Sequence, residues 1–165
     1  IGGGALKQIL IRPVQLAVSE ENTVLASLAL GSSLAVCMYD VNRHIGGMVH
    51  TLLPRVPEKE AAGQELRYVD TSIVALYDAM MAKGADAYDL RAKLAGGARI
   101  FSFAAREKYR EIGRENVDCA RQKLQELNIP VISEDTGENY GRSIYFYTDD
   151  GKLEIETVNH AKYLI

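Results

Sequence analysis

The sequence is poor in the features that mark secreted, membrane-bound and nucleic-acid-binding proteins. It has only two cysteines, too few for a disulfide framework, which suits a reducing cytoplasm. No run approaches the roughly 18 apolar residues of a membrane span, and the first residues lack the basic and apolar regions of an export signal. A net charge of -3 gives no reason to expect nucleic acid or an anionic membrane as a partner. We therefore expect a cytoplasmic protein without membrane insertion.

The residue types that most often bind metals are scattered along the chain. His44, His50 and His160 form no cluster, and neither Cys37 nor Cys119 has a partner at a metal-ligand spacing. We therefore expect no metal and no cofactor, and we assign no function to Cys119. Cys37 has the character of a small buried residue in an apolar strand.

Length and composition favour one folded domain. A chain of 165 residues can bury a core, and fractions of 47% hydrophobic and 25% charged residues are ordinary for a globular protein. The sequence contains no internal repeat, no low-complexity tract and no linker that would divide it. We therefore expect a single domain over residues 1–165.

Hydrophobic periodicity predicts two helices and many strands. One helix covers Val69–Lys83 and stops at Gly84, and the other covers Asn116–Leu127 and ends before Pro130. The other predicted segments are strands over 7–17 (interrupted at position 13), 24–30, 34–39, 45–52, 90–94, 99–103, 130–133, 143–148 and 152–157, a loop over 55–64, and a stretch over 101–110 that is ambiguous between loop and helix. This pattern favours a mixed α/β layered domain over a parallel doubly wound sheet.

The strongest chemical signal lies in a predicted hairpin. Two apolar runs separated by a polar segment, over residues 34–52, indicate an antiparallel pair of strands. Two turn centres fit the pattern. One sets Ser33 opposite His50, and the other sets His50 opposite Ala35, with Ser33 as a diagonal neighbour. Both registers place Ser33 and His50 on one face, with Cβ atoms about 5–8 Å apart.

Two interpretations of this face are open. On spacing alone the commoner one is structural, with His50 satisfied in a half-buried strand and Ser33 a small residue beside the Gly31 turn. The chemical one makes Ser33 a hydroxyl nucleophile and His50 its base. Cys37 cannot replace Ser33, because four residues of strand displace it by roughly 13 Å.

Five separated motifs resemble, in order, those of the chemoreceptor glutamine deamidases, the CheD family. They are residues 30–40 (LGSSLAVCMYD) with 46–54 (GGMVHTLLP), 67–73 (RYVDTSI), 96–98 (GGA), 112–117 (IGRENV) and 134–142 (EDTGENYGR). The resemblance covers the chain from about residue 25 to about residue 155, and five motifs in order are more specific than any one of them. Glu138 departs from a position where the family usually has glycine.

The main departure from the family is at the nucleophile. The family pattern is Gly-Ser-Cys, and its attacking cysteine falls at Ser33 of this chain. The resemblance implies that His50 is the general base, and that Ser27 stands where the family usually has the threonine that supports the site. The implied reaction is hydrolysis of glutamine side-chain amides on methyl-accepting chemoreceptors to glutamate and ammonia. Some members also hydrolyse glutamate methyl esters on those receptors.

The resemblance also implies a fold and a partner. The implied fold is a three-layer sandwich in which helices pack on stacked β-sheets, related to the catalytic core of cytotoxic necrotizing factor toxins. The implied partner, besides the receptor, is a chemotaxis phosphatase of the CheC type.

Serine at position 33 predicts little or no deamidase activity. An imidazole can lower the pKa of a neighbouring thiol from its usual value near 8.5, so that thiolate is present at neutral pH. An alcohol needs concerted proton removal, tight geometry and a strong oxyanion site. An engineered replacement and a natural loss of cysteine would both leave such a serine, and the sequence does not separate them.

Three functions are open at this point. The chain is a silenced deamidase, a binding module that keeps the receptor or phosphatase surface without turnover, or a serine hydrolase using Ser33 and His50. The last would need an acidic or amide group to orient His50. Restoring cysteine would separate the first two.

Two glycine-bearing segments also allow more than one interpretation. Gly96 and Gly97 indicate either a plain hairpin turn or a close approach of the backbone to the active face. The loop over 135–142 could present backbone N–H groups to an anion or form the rim of the substrate site, and Arg142 could simply pair with a neighbouring acidic residue.

Overall fold

The computed structural model of the chain describes residues 6–20, 22–59, 62–99, 111–159 and 161–165. Within these residues there are ten strands: β1 (Lys7–Leu10), β2 (Gln15–Ser19), β3 (Thr23–Leu30), β4 (Leu34–Asp40), β5 (Ile45–Thr51), β6 (Arg91–Gly96), β7 (Val131–Thr136), β8 (Arg142–Tyr147), β9 (Leu153–Thr157) and β10 (Lys162–Leu164). The helices of the same residues are α1 (Val69–Lys83) and α2 (Ile112–Glu126), with short 3-10 turns at Glu65–Arg67 and Ala87–Asp89. None of the described helices has the length and apolar character to cross a membrane.

The strands form two stacked sheets. The first has the order β1-β3-β8-β9-β10, and the second has the order β2-β5-β4-β6-β7. Both helices pack on the second sheet, α1 against β2, β4 and β5, and α2 against β4, β6 and β7. The first sheet covers the opposite face of the second. The predicted α+β class and the three-layer sandwich of stacked sheets with flanking helices are therefore confirmed.

The central strand β4 contributes to two hydrophobic cores. Leu34 and Val36 pack against the helices, whereas Ala35 and Cys37 pack against the first sheet. Every residue of β4 is buried because both of its faces are covered, and this explains the unbroken apolar run in the sequence. Burial raises the pKa of the Cys37 thiol far above its usual range, which agrees with a cysteine that packs rather than reacts.

Most predicted elements agree with the structure to within a few residues. Helix α1 has the predicted bounds, and Gly84 ends it in the left-handed conformation, with a φ of 105°. Pro13 separates β1 from β2, and the two strands join different sheets. The strand predicted over 99–103 lies outside the described residues except for Arg99, which is not in a strand, and the ambiguous stretch over 101–110 lies wholly outside them. Strand β10 was not predicted.

Helix α2 begins about one turn earlier than predicted, and Gly113 is the reason. Glycine lowers helix propensity, so the pattern alone places the start after it. In the structure a Cβ at Gly113 would lie 2.4 Å from the carbonyl oxygen of Ala98 and 2.5 Å from that of Gly97. Only glycine allows the first turn of α2 to lie against this backbone, so tertiary packing outweighs local propensity.

We expect Gly113→Ala to lower the free energy of unfolding by about 1–3 kcal/mol through this overlap. In an ordinary helix position the same change would raise it by about 1 kcal/mol. Urea unfolding measures the difference. Arg114→Ala, in the same turn but exposed, is the matched control and should change stability by less than about 0.5 kcal/mol. A more stable Gly113→Ala protein would contradict the close packing of α2 on residues 97–98.

Candidate active site

Strand β5 directs His50 into the space between the two sheets. In the pairing of β4 with β5, His50 lies opposite Ala35, which confirms the second of the two predicted registers. Ser33 lies in the turn just before β4 and is the diagonal neighbour of the histidine. The Nε2 atom of His50 is 2.9 Å from Oγ of Ser33. The hairpin therefore brings the two residues into hydrogen-bond contact.

Ser27 approaches the same imidazole from the other sheet. It lies on β3, and its Oγ is 2.9 Å from Nδ1 of His50. The Ser27 hydroxyl also donates a hydrogen bond of 2.9 Å to the carbonyl oxygen of Ile11. The structure thus brings Ser33, His50 and Ser27 together, although they come from a turn and two different sheets.

These contacts determine which nitrogen of His50 carries the proton. The carbonyl of Ile11 can only accept, so the single hydroxyl hydrogen of Ser27 is used there. The oxygen of Ser27 is left to accept a hydrogen bond from Nδ1–H of the imidazole. In the neutral ring Nε2 is then unprotonated and accepts from the hydroxyl of Ser33, which is the arrangement of a general base and its nucleophile.

The surroundings of His50 favour its neutral form. The residue is only 4% exposed, and burial lowers its pKa below the usual value, while the nearby carbonyl of Ile11 opposes this shift. Both hydrogen-bond partners of the ring are uncharged hydroxyl groups. At neutral pH the imidazole is therefore available as a proton acceptor.

The turn that carries Ser33 is held by its carbonyl groups. The carbonyl oxygen of Gly31 accepts from the N–H of Ala98 at 2.8 Å, and that of Ser33 accepts from the N–H of Gly97 at 2.8 Å. The carbonyl oxygen of Ser32 accepts from Nδ2 of Asn116 at 2.9 Å. All three consecutive carbonyl groups of the turn thus accept a hydrogen bond.

The same contacts explain the paired glycines of the segment after β6. Both Gly96 and Gly97 have positive φ angles, 110° and 62°. A Cβ at Gly96 would lie only 2.4 Å from the carbonyl oxygen of Ser33. The close backbone approach, one of the two interpretations of this glycine pair, is therefore present. The other, a hairpin turn, involves the strand predicted over 99–103, which lies outside the described residues except for Arg99.

Asn116 binds backbone groups next to Ser33 and His50, although it is not among the residues predicted for the site. It is fully buried, and its Nδ2 donates to the carbonyl of Leu52 at 3.0 Å as well as to Ser32. Its Oδ1 has no hydrogen-bond partner among the described residues. A signal was present: Asn116 lies four and eight residues before Ala120 and Leu124, so it is a polar amide within the apolar stripe of α2.

The loop between β7 and β8 lies beside Gly96 and Arg99 and is held by a buried arginine. Arg142 forms an ion pair with Asp135 and also donates to the backbone carbonyls of Asp135 and Gly137. The guanidinium therefore pairs within its own loop, which is the simpler of the sequence interpretations. The carbonyl of Glu138 accepts from the N–H of Arg99 at 2.7 Å, so the loop lies beside the segment that follows β6.

Comparison with known proteins identifies close relatives over most of the chain. Residues 52–157 match the family described as CheD chemotactic sensory transduction. A protein of Caldanaerobacter subterraneus subsp. tengcongensis, named "Probable chemoreceptor glutamine deamidase CheD", is 37% identical over 148 residues, which are 89% of this chain and 91% of the relative. The "Chemoreceptor glutamine deamidase CheD" of Halalkalibacterium halodurans is 39% identical over 134 residues, 81% of this chain and 83% of the relative.

Among solved structures, this chain is similar to the hypothetical protein YfiH of Bacillus licheniformis. The match covers 73% of this chain and 49% of the YfiH chain. The TM-score is 0.43 and the sequence identity is 18%.

We expect Glu138→Gly to raise the free energy of unfolding by about 1 kcal/mol. Glu138 has a φ of 61°, where a side chain costs about 1–2 kcal/mol and glycine costs nothing. Part of this gain is offset by the extra freedom of glycine in the unfolded chain, about 0.5–1 kcal/mol. Asn139→Gly, at the next position with an ordinary φ, is the control and should not stabilise. Equal effects of the two changes in urea unfolding would refute the strain at position 138.

We also expect acid to weaken the fold through His50. In the unfolded chain the imidazole regains its ordinary pKa near 6.5, whereas the pKa in the folded chain is lower. The stability that this shift provides is complete above the unfolded pKa and is lost as the pH falls through the folded pKa. Between about pH 7.5 and about pH 5 the free energy of unfolding should fall less in His50→Gln than in the unchanged protein. The same fall in both proteins would exclude a lowered pKa of His50.

Proposed function

The chain belongs to the CheD family, and we propose that its site is that of a chemoreceptor glutamine deamidase silenced by Ser33 in place of the attacking cysteine. The observation that carries the proposal is the contact of 2.9 Å between Ser33 Oγ and Nε2 of a buried, neutral His50. The substrates would be glutamine side chains of chemoreceptors, as the names of the relatives state for those proteins. A cytoplasmic location is part of the proposal.

With a thiol at position 33, the two hydrogen bonds of the His50 ring indicate how the reaction would proceed. Nε2 of His50 takes the thiol proton, and the sulfur attacks the carbonyl carbon of the glutamine carboxamide. The tetrahedral intermediate collapses as its nitrogen takes the proton from His50 and leaves as ammonia, and a thioester remains. Water, deprotonated by His50, then hydrolyses the thioester to glutamate and restores the thiol. Ser27 keeps the ring in the required tautomer throughout.

The surroundings of His50 explain why serine would not replace cysteine. An alcohol gives up its proton only if the base can carry the positive charge, and burial makes this ring a weak base. In serine hydrolases a carboxylate stabilises the imidazolium. Here the group on Nδ1 is the hydroxyl of Ser27, which orients the ring without adding negative charge. This argues against the serine hydrolase and in favour of a silenced deamidase.

Ser33 also supports a second candidate function. A chain that retains the frame of the site but has lost the nucleophile can still bind what the active enzyme binds. The alternative is therefore a non-catalytic binding module for a chemoreceptor or for a CheC-type chemotaxis phosphatase. The two functions differ in whether cysteine restores turnover.

We expect Ser33→Cys to release ammonia from a chemoreceptor cytoplasmic fragment, whereas the unchanged chain releases none that can be detected. Adding His50→Ala to Ser33→Cys should lower the rate by about 10²-fold or more, because the general base is lost. Ser32→Cys is the matched control, since it places a thiol in the same turn, one residue before the position whose Oγ contacts His50. It should remain inactive.

A silent Ser33→Cys protein, on a receptor fragment that it binds, would overturn the deamidase proposal and favour the binding module. Activity that survives His50→Ala would overturn the role of the histidine. Activity of Ser32→Cys equal to that of Ser33→Cys would show that the position of the thiol is not what matters.

A further inference from the structure

One buried side chain binds the backbone next to Ser33 and also the backbone next to His50. Asn116, in the second turn of α2, donates from the same Nδ2 to the carbonyls of Ser32 and Leu52. Ser32 directly precedes the nucleophile position, and Leu52 follows His50 by two residues. The side chain is fully buried, so water does not compete for these bonds.

The orientation of this amide is determined by its partners. Both carbonyl oxygens are acceptors only, so the NH₂ group must face them. The opposite orientation would bring three oxygen atoms together. The Oδ1 of the side chain has no hydrogen-bond partner among the described residues. Its two donated bonds are the property that an apolar residue of similar size would lack.

The helix that carries Asn116 is itself fixed against the site. Gly113 lies directly on the backbone of Gly97 and Ala98, and the N–H groups of those two residues hold the Ser33 turn. The amide therefore has the packed first turns of α2 on one side and the carbonyl oxygens of Ser32 and Leu52 on the other. A nucleophile and its base are sensitive to displacements of about 1 Å.

We propose that Asn116 is a positioning residue that sets the distance between position 33 and His50. It acts through the backbone of Ser32 and Leu52 and does not touch the reacting atoms. The expected effect on deamidation rests on the proposed function. The effect on the distance between position 33 and His50 does not rest on it, because the activation of a thiol at position 33 can be measured without any substrate.

The test uses Ser33→Cys as the parent protein and adds Asn116→Leu, Asn116→Asp or Asn116→Ala. The rate of alkylation by iodoacetamide is followed against pH on the peptide that carries position 33. Cys37 and Cys119 lie on other parts of the chain, and burial raises the pKa of both thiols. Ala120→Gly in the same parent is the matched control, because it weakens α2 one turn further along without contacting either carbonyl.

We expect the Asn116 changes to raise the apparent pKa of the position-33 thiol by about one unit, so that alkylation near neutral pH slows about tenfold. The effect should be largest for Asn116→Asp, whose carboxylate faces two carbonyl oxygens. In deamidation kcat should fall while KM stays nearly constant. Ala120→Gly should leave the alkylation profile and kcat unchanged.

Folded Asn116 variants with the pH profile of the parent would overturn the proposal. A profile that shifts equally in Ala120→Gly would do the same, since the cause would then be general loosening of α2. Failure of all three Asn116 variants to fold would show a purely structural role and would also overturn it. If Ser33→Cys is alkylated with a lowered pKa but deamidates no receptor, the proposed function fails and the positioning role is still decided by the alkylation profile.

Discussion

A single imidazole ring spans the space between the two sheets, and the rest of the site is arranged around it. His50 comes from the second sheet, whereas Ser27, which holds its Nδ1, comes from the first. The contact forms only when the sheets stack in one position and β4 pairs with β5 in one register. A slip of one residue in that pairing would turn the ring towards the helices. Register, stacking and the tautomer of the histidine are therefore coupled through one buried hydrogen bond.

The turn that carries Ser33 is positioned by its backbone rather than by side-chain packing. Its three carbonyl groups are bound by two backbone N–H groups and by the amide of Asn116. Such close approach requires residues without a Cβ, and Gly96 and Gly113 lie where a Cβ would overlap a carbonyl oxygen. Glycines that weaken the strand and helix patterns are thus found in the most closely packed part of the site, because local propensity contributes less than these contacts.

The chemistry of the site follows from what surrounds His50. Burial and two hydroxyl partners keep the ring neutral and oriented, but they add no negative charge to stabilise an imidazolium. A thiol gives up its proton to a weaker base than an alcohol requires, because the pKa of a thiol is lower. The arrangement is therefore suited to cysteine at position 33. Ser33 keeps the contact of 2.9 Å with Nε2 of the ring, and in the proposed function turnover is lost because the thiol is missing.

The amino-acid sequence by itself determined the local features: the bounds of α1, the hairpin of β4 and β5, and the presence of Ser33 and His50 on one face. These depend on periodicity and turn residues within short segments. Only the tertiary structure decided which hairpin register forms, that Ser27 reaches Nδ1, and that Asn116 binds the backbone next to both Ser33 and His50. The periodicity fits both hairpin registers equally, so it does not choose between them. The contacts of Ser27 and Asn116 link residues 23 to 84 positions apart, and local patterns carry no information about how distant segments stack.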